Sequence, residues 1–361
     1  MRFAPLTRRS RTTVLPIPTR SPQDTVSIGQ QIAQQMTILT RPYRPTPWLF
    51  NAHLQLLFLG LQKKNTQTLH YDRIEQLSMH DGGTTALYWM GAGLPDHTPT
   101  LVILHTITAT PSSMHPLIQD LHHHTGWRIV LCLRRGHADL KLTTPKISLF
   151  GSTSDLHEQL EAIQRYVPQS PLYGLGSSAG SGLLVRYLGE TAEQSKFKAA
   201  FAYCPGYNID EAFAKAHPIY SRLMTKKLIE KFIEPHLSQL NQLTSLPQLK
   251  TAKTLLDFHD QSYELAGYQS YTDYSAAHNP MRVFKQIQTP LMVLNAEDDP
   301  ICKIENAEPY VDLIQQMSNV IFVTTTHGSH CAHYEGWHPE SWATRLMADF
   351  FLTSHQQLHS A

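Results

Sequence analysis

Ser178 has a glycine two residues away on each side, Gly176 and Gly180, within the run YGLGSSAGSG from Tyr173 to Gly182. A sharp strand-to-helix turn that projects a serine hydroxyl needs small residues at those two places, because larger side chains would collide across the bend. The neighbouring serines fail this test. Ser177 has Leu175 and Ala179 at the same offsets, and Ser181 has Ala179 and Leu183. Ser178 is therefore the candidate nucleophile, and the alternative is a glycine-rich bend with a phosphate or no ligand.

A serine hydroxyl attacks only when a base takes its proton and an acid orients the base. On an α/β sheet of this kind the chain order is serine, then carboxylate, then histidine, each following a strand. Asp299 stands before Pro300 in EDDP, just after the apolar run PLMVLNA, and Asp298 is its rival. The loop HGSHCAH follows the run VIFVTT and offers His327, His330 and His333. Spacing alone leaves these three open. An oxyanion would need two backbone donors: the N–H of Ala179 and one from the loop HTITATPSS, where Ile107 is the candidate with Thr106 close behind.

The elements that must hold these groups are legible as apolar runs. TLVILH, WRIVLCL, PLYGLG, FKAAFAYC, PLMVLNA and VIFVTT read as buried strands, alternating with helical segments. That alternation predicts an α/β fold with a mainly parallel sheet flanked by helices. In DLHEQLEAIQRYV, residues Leu156, Leu160, Ile163 and Val167 share one helical face. Between Cys204 and Pro290 no strand is evident. There PIYSRLMTKKLIEKFIEPHL reads as an amphipathic helix with Ile219, Leu223, Leu228, Ile229 and Phe232 as its apolar stripe. The expected organisation is a loosely ordered basic arm over residues 1–44, a core over 45–205 and 286–361, and a helical cap insertion over 206–285.

Thirty Lys and Arg against 29 Asp and Glu leave a formal charge of +1, which gives no pull toward nucleic acid or an anionic membrane. No apolar run reaches the roughly 18 residues that span a bilayer, and the greasiest, WLFNAHLQLLFLGL, is broken by Asn51, His53 and Gln55. No transmembrane anchor is expected. Five arginines and no acid in the first 23 residues resemble an organelle transit peptide, or equally a basic arm. Cys132, Cys204, Cys302 and Cys331 are widely spaced without a CxxC pair, so neither a zinc site nor a disulfide framework is expected. This usage fits a reducing, cytoplasmic setting, with Cys132 and Cys204 as buried inert thiols. The run His122 to His124 lacks a carboxylate at helical spacing and reads as an exposed helix end rather than a metal site.

Over about residues 45–350 the chain resembles the YheT-like branch, the AB hydrolase 4 family, of the α/β-hydrolase superfamily. The likeness rests on WLFNAHLQLLF, on GWRIVLCLRRGHADLKLTTPKISLFGSTSDL and on GLGSSAGSGLLVRYLGE. It is completed by LLDFHDQSYELAGYQSYTDYSAAHNP, LNAEDDPIC and THGSHCAHYEG. The resemblance implies an α/β-hydrolase fold with Ser178 as nucleophile, Asp299 as acid and His330 as base, His330 standing where the family has the last histidine of H-G-G-H. It implies cleavage of carboxylic esters of fatty-acyl or acylglycerol type through an acyl-enzyme, without metal or other cofactor. Three departures stand out: Thr106 and Ala109 replace glycines of the oxyanion loop, Ser181 replaces a glycine after the elbow, and Ser275 follows Tyr274 where an aromatic pair is usual. The other readings are acyl transfer to an alcohol, a catalytically silent lipid-binding protein of the same fold, and a peptidase.

Overall fold

The computed structural model describes residues 10–18, 26–64 and 70–359. Nine of its strands form one sheet: β1 (Thr12–Val14), β2 (Arg73–Ser78), β3 (Thr84–Met90), β4 (Thr100–Leu104), β5 (Arg128–Leu133), β6 (Leu172–Ser177), β7 (Phe197–Tyr203), β8 (Leu291–Ala296) and β9 (Val320–Thr325). Their order across the sheet is β1-β9-β8-β7-β6-β4-β5-β3-β2. The six apolar runs are the six strands from β9 to β5, all parallel to their neighbours within that group. Strands β1, β2 and β3 pair antiparallel at the two edges. The central strands are buried nearly throughout because helices cover both faces, so they read as continuous apolar runs.

Two large cores lie on the two faces of this sheet. One packs Leu156, Leu160, Leu184 and Tyr187 against Val102, Val130 and Val293. The other packs Ile118, Leu346, Phe350 and Phe351 against Ile103, Phe201 and Ile321. The contributing helices include α1 (Ile28–Gln35), α3 (His115–Thr125), α4 (Thr153–Tyr166) and α5 (Ala179–Thr191), with a long closing helix over Trp342–His359. Helix α2 (Ala52–Lys64) instead packs Leu54, Phe58 and Leu59 in a separate small cluster with Leu49 and Tyr334. All four apolar residues foreseen on one face of α4 are buried, and Ser152 caps that helix by accepting the N–H of Asp155. His122 to His124 end α3, and His122 is held by the Trp127 carbonyl.

The parallel arrangement brings the carboxyl ends of β4, β6, β8 and β9 to one edge. Leu104 pairs with Gly176, and Ala296 with Thr325, so the loops that leave these strands start level. Such an edge is where α/β sheets bind ligands.

Two expectations need correction. The first 44 residues are not uniformly a loose arm. Thr12–Val14 adds an antiparallel strand beside β9, and α1 carries a full capping box between Ser27 and Gln30. Ile32, Met36 and Tyr43 are buried in the core. Most of the transit-like arginine stretch lies outside the described residues.

The segment 218–237 is also not one regular helix. An α-helix over Pro218–Leu228 passes into a π-turn over Ile229–Ile233, and the inward face is not the apolar stripe foreseen. Leu228 and Phe232 are buried, while Ile219 and Leu223 are exposed. Ser221 and Thr225 point inward instead, their hydroxyls bonded to the Leu255 N–H and the Ser221 carbonyl. Between β7 and β8 the described chain is helical, and Leu228, Phe232, Leu249 and Phe258 pack over Leu142, Ile147 and Phe150. Among the described residues, no helix is long and apolar enough to cross a membrane.

Candidate active site

The turn from β6 into α5 holds Ser178 at φ 52° and ψ −117°, a strained conformation for a residue with a side chain. The surroundings fix it. The Ser178 N–H donates to the Tyr203 carbonyl at 2.8 Å, and its own carbonyl accepts the Ser181 N–H and the Ser181 hydroxyl. Serine at 181, where the resembling family has glycine, thus adds a brace to the elbow. A Cβ on Gly176 would meet the Gly180 carbonyl at 2.5 Å, and one on Gly180 would run into the Leu104 carbonyl. The glycines are therefore steric necessities. Ser177 is buried inside the sheet, whereas Ser178 keeps partial exposure.

Three side chains from distant loops meet here. His330 Nε2 lies 2.7 Å from Ser178 Oγ, and His330 Nδ1 lies 2.8 Å from Asp299 Oδ2. Asp299 Oδ1 accepts the N–H groups of Ile301 and Cys302 at 2.7 and 2.9 Å, so both oxygens have work and the carboxylate cannot rotate away. In the neutral ring, Nδ1 carries the proton because it faces a carboxylate, and Nε2 is the acceptor toward serine. Burial alone would lower the His330 pKa. The Asp299 carboxylate, with the Cys331 and Cys302 sulfurs, outweighs that and holds it well above its ordinary value.

The rival groups fall elsewhere. Asp298 lies 3.9 Å from His327, and burial pushes its carboxyl up to about 7. His333 sits beneath the site, its ring nitrogens against the hydroxyls of Tyr203 and Thr325 at 2.8 and 3.0 Å. Burial lowers its pKa to about 3, so it stays neutral.

Ala179 is the first residue of α5, where the helix offers no acceptor for its N–H. Ile107 lines the same cavity as Ser178 and Ala179. The loop after β4 is strapped from behind by a residue that sequence reasoning did not single out. Arg134 Nη1 donates to the His105 carbonyl at 2.8 Å and Nη2 to the Thr106 carbonyl at 3.0 Å. A trans peptide points its C=O and N–H in opposite directions. Holding Thr106 C=O toward Arg134 therefore turns the Ile107 N–H away from Arg134. The available signal was the RRG turn after WRIVLCL. Its second arginine, Arg135, instead pairs with Asp155 at 2.6 Å and Asp81 at 2.7 Å.

The cavity at Ser178 holds about 530 Å³ of open space, including the part that reaches solvent, and its walls include Phe150, Ile209, Phe213, Met224 and Ile301. It is apolar enough for a hydrocarbon chain, with Ser178 at one side. A second cavity opens on the other side of the elbow, past Thr106, Tyr203 and Cys331.

A sheet with a strained serine elbow and carboxylate and histidine loops at its carboxyl edge defines a class of proteins. The chain belongs to the alpha/beta hydrolase fold family, whose model matches residues 99–336. Among its relatives, embryogenesis-associated protein EMB8 of Picea glauca is 28% identical over 86% of this chain and 71% of that protein. Monoacylglycerol lipase ABHD2 of Mus musculus is 27% identical over 90% of this chain and 82% of its own. The solved structure of Est1E from Butyrivibrio proteoclasticus with ferulic acid bound shares the fold, with a TM-score of 0.50 at 15% identity over 79% of this chain and 98% of that one.

Proposed function

We propose that this protein hydrolyses carboxylic esters with apolar acyl chains, using Ser178 as nucleophile, His330 as base and Asp299 as orienting acid. The observation that carries this reading is the unbroken relay from Ser178 Oγ through His330 to Asp299, with links of 2.7 and 2.8 Å. Ser178 Oγ would attack the acyl carbon while its proton passes to His330 Nε2, and Asp299 would stabilise the imidazolium. The N–H groups of Ala179 and Ile107 would receive the oxyanion. His330 then returns the proton to the leaving alcohol, and water releases the acyl group by the reverse sequence.

The substrate class rests on two supports. The walls around Ser178 are mostly hydrocarbon, with Arg186 and His278 among them, and a relative covering most of the chain is named as a monoacylglycerol lipase. The helical segment 206–285 serves as the cap that supplies Ile209, Phe213 and Met224 to those walls. The silent-binding alternative rests on the altered oxyanion loop, Thr106 to Thr110. Ala109 is accommodated in a buried position, and the Arg134 strap holds the loop's carbonyls, which favours a working hole.

The test is a chain-length series of p-nitrophenyl esters together with a monoacylglycerol, assayed on wild type and Ser178→Ala. Turnover with a chain-length optimum, abolished in a variant of unchanged thermal stability, is the expected result. Retained turnover in Ser178→Ala removes that serine from the mechanism. Added ethanol separates hydrolysis from acyl transfer by the yield of ethyl ester.

A further inference from the structure

Cys204 and Cys331 are 127 positions apart in sequence, yet the fold sets their sulfurs beside the catalytic base. The Cys331 N–H donates to Cys204 Sγ at 3.3 Å. Cys204 Sγ lies 3.7 Å from the Ser329 carbonyl, and Cys331 Sγ lies 4.0 Å from the Tyr203 carbonyl. Both sulfurs and a ring nitrogen of His330 fall within 4.8 Å of one another. No CxxC spacing announced this, because Cys204 directly follows β7 whereas Cys331 comes from the loop after β9.

We propose that Cys204, Cys331 and His330 form an inhibitory site for a thiophilic divalent metal ion of the zinc class. Occupancy shuts down ester hydrolysis by withdrawing His330 from the relay. The inhibitory consequence rests on the function proposed above; the binding itself does not.

The donor set matches the ion. Two thiolates and one imidazole are a three-ligand set that zinc adopts when its fourth position is left to water or another small ligand. Sulfur donors select zinc over magnesium or calcium, which seek oxygen. Bond lengths of about 2.3 Å to sulfur and about 2.0–2.1 Å to nitrogen place tetrahedral neighbours roughly 3.4–3.8 Å apart. Three atoms already within 4.8 Å reach that spacing with side-chain shifts of about 1 Å. Binding releases to solvent the two thiol protons and, where the ring is charged, the proton on Nε2 of His330. A route exists as well, since Cys331 is partly exposed and lines the second cavity with Thr106 and Tyr203.

Inhibition follows from the bonding. Nδ1 of His330 is held by Asp299 and Nε2 by Ser178, so an ion on either nitrogen takes a link out of the relay. Nε2 is the nitrogen with the lone pair. Coordination there would leave Asp299 behind Nδ1, the carboxylate partner commonly found behind metal-bound histidine. Ser178 would then have no base.

Cobalt(II) provides a readout independent of activity. Added to the purified, reduced protein, it is expected to give a thiolate-to-cobalt charge-transfer band that Ser178→Ala retains and that Cys204→Ser and Cys331→Ser each lose. Zinc is expected to inhibit wild-type ester turnover, with recovery on adding EDTA. Each cysteine variant, measured against its own uninhibited rate, should need about tenfold more zinc or greater. Three outcomes overturn the proposal. Zinc sensitivity kept by both cysteine variants would place the inhibition elsewhere, such as the histidines ending α3. Absence of the cobalt band in wild type would deny the site. Inactivation reversed by a thiol reductant but not by EDTA would mean a disulfide between the same sulfurs. Failure of the ester hydrolase reading alone would leave the cobalt band in place.

Discussion

Arg134 is the residue whose substitution separates fold stability from aim of the Ile107 N–H most sharply. Its guanidinium is buried, and burial beside Arg186 lowers its pKa to about 9, so it still carries charge at neutral pH. It spans two consecutive carbonyls of the oxyanion loop. The perturbation is Arg134→Lys, which keeps the charge but replaces a planar fork with a single point donor. One of the two charge-assisted bonds is lost, each worth about 1.5–3 kcal/mol. The Thr106 carbonyl keeps the Ala109 N–H at 3.2 Å and the His105 ring at 2.8 Å, so the stability loss should sit near the low end, about 2 kcal/mol. Catalysis should suffer differently. Complete loss of an oxyanion donor costs roughly 10²–10³ in rate, and an Ile107 N–H that is loosened rather than removed should cost about 10- to 100-fold in kcat. Because the donor acts on the transition state, KM should move by less than about threefold. Steady-state kinetics on a soluble p-nitrophenyl ester, beside a thermal melt, gives both numbers. An unchanged kcat with a lowered melting temperature would show that Arg134 holds the fold but does not aim the donor.

Asp299→Asn should preserve the bonds from Ile301 and Cys302 yet present an amide to His330 Nδ1, favouring the wrong tautomer; kcat should fall by about 10³–10⁴, and a loss under tenfold would contradict the role. Activity should decline as pH falls through the raised His330 pKa, because the protonated ring cannot accept the serine proton. The acid limb of kcat/KM should therefore lie above the ordinary histidine value of about 6.5, and a limb at or below that value would refute the Asp299 effect. Gly180→Ala should fold poorly or lose all turnover, since its methyl group has no room beside the Leu104 carbonyl; a soluble, fully active variant would show the elbow to be looser than described.

The parts of the fold that could be read from sequence are those that obey local rules. Six strands buried on both faces advertise themselves as apolar runs, and the elbow as two glycines at fixed offsets. β2 was illegible for the opposite reason: RIEQLS is an edge strand whose residues alternate between half-buried and exposed. β1 is three residues long and exists only by pairing with β9. In the cap, the inward face at helical spacing carries Ser221 and Thr225 ahead of Leu228 and Phe232, so a stripe drawn through apolar residues alone misplaced Ile219 and Leu223. Strand order located the two loops that carry the acid and the base of the relay. Choosing among three histidines needed either family resemblance or coordinates, because loop path decides which ring faces Ser178. The Arg134 strap and the Cys204–Cys331 pair are long-range contacts with no periodic trace.

The most direct measurement is reaction of the wild-type protein with a fluorophosphonate, followed by peptide mapping of the adduct. One phosphonyl group on the peptide bearing Ser178, absent from Ser178→Ala and strongly slowed in His330→Ala, is what the relay requires. An unlabelled wild type, or an adduct on any other residue, would contradict it.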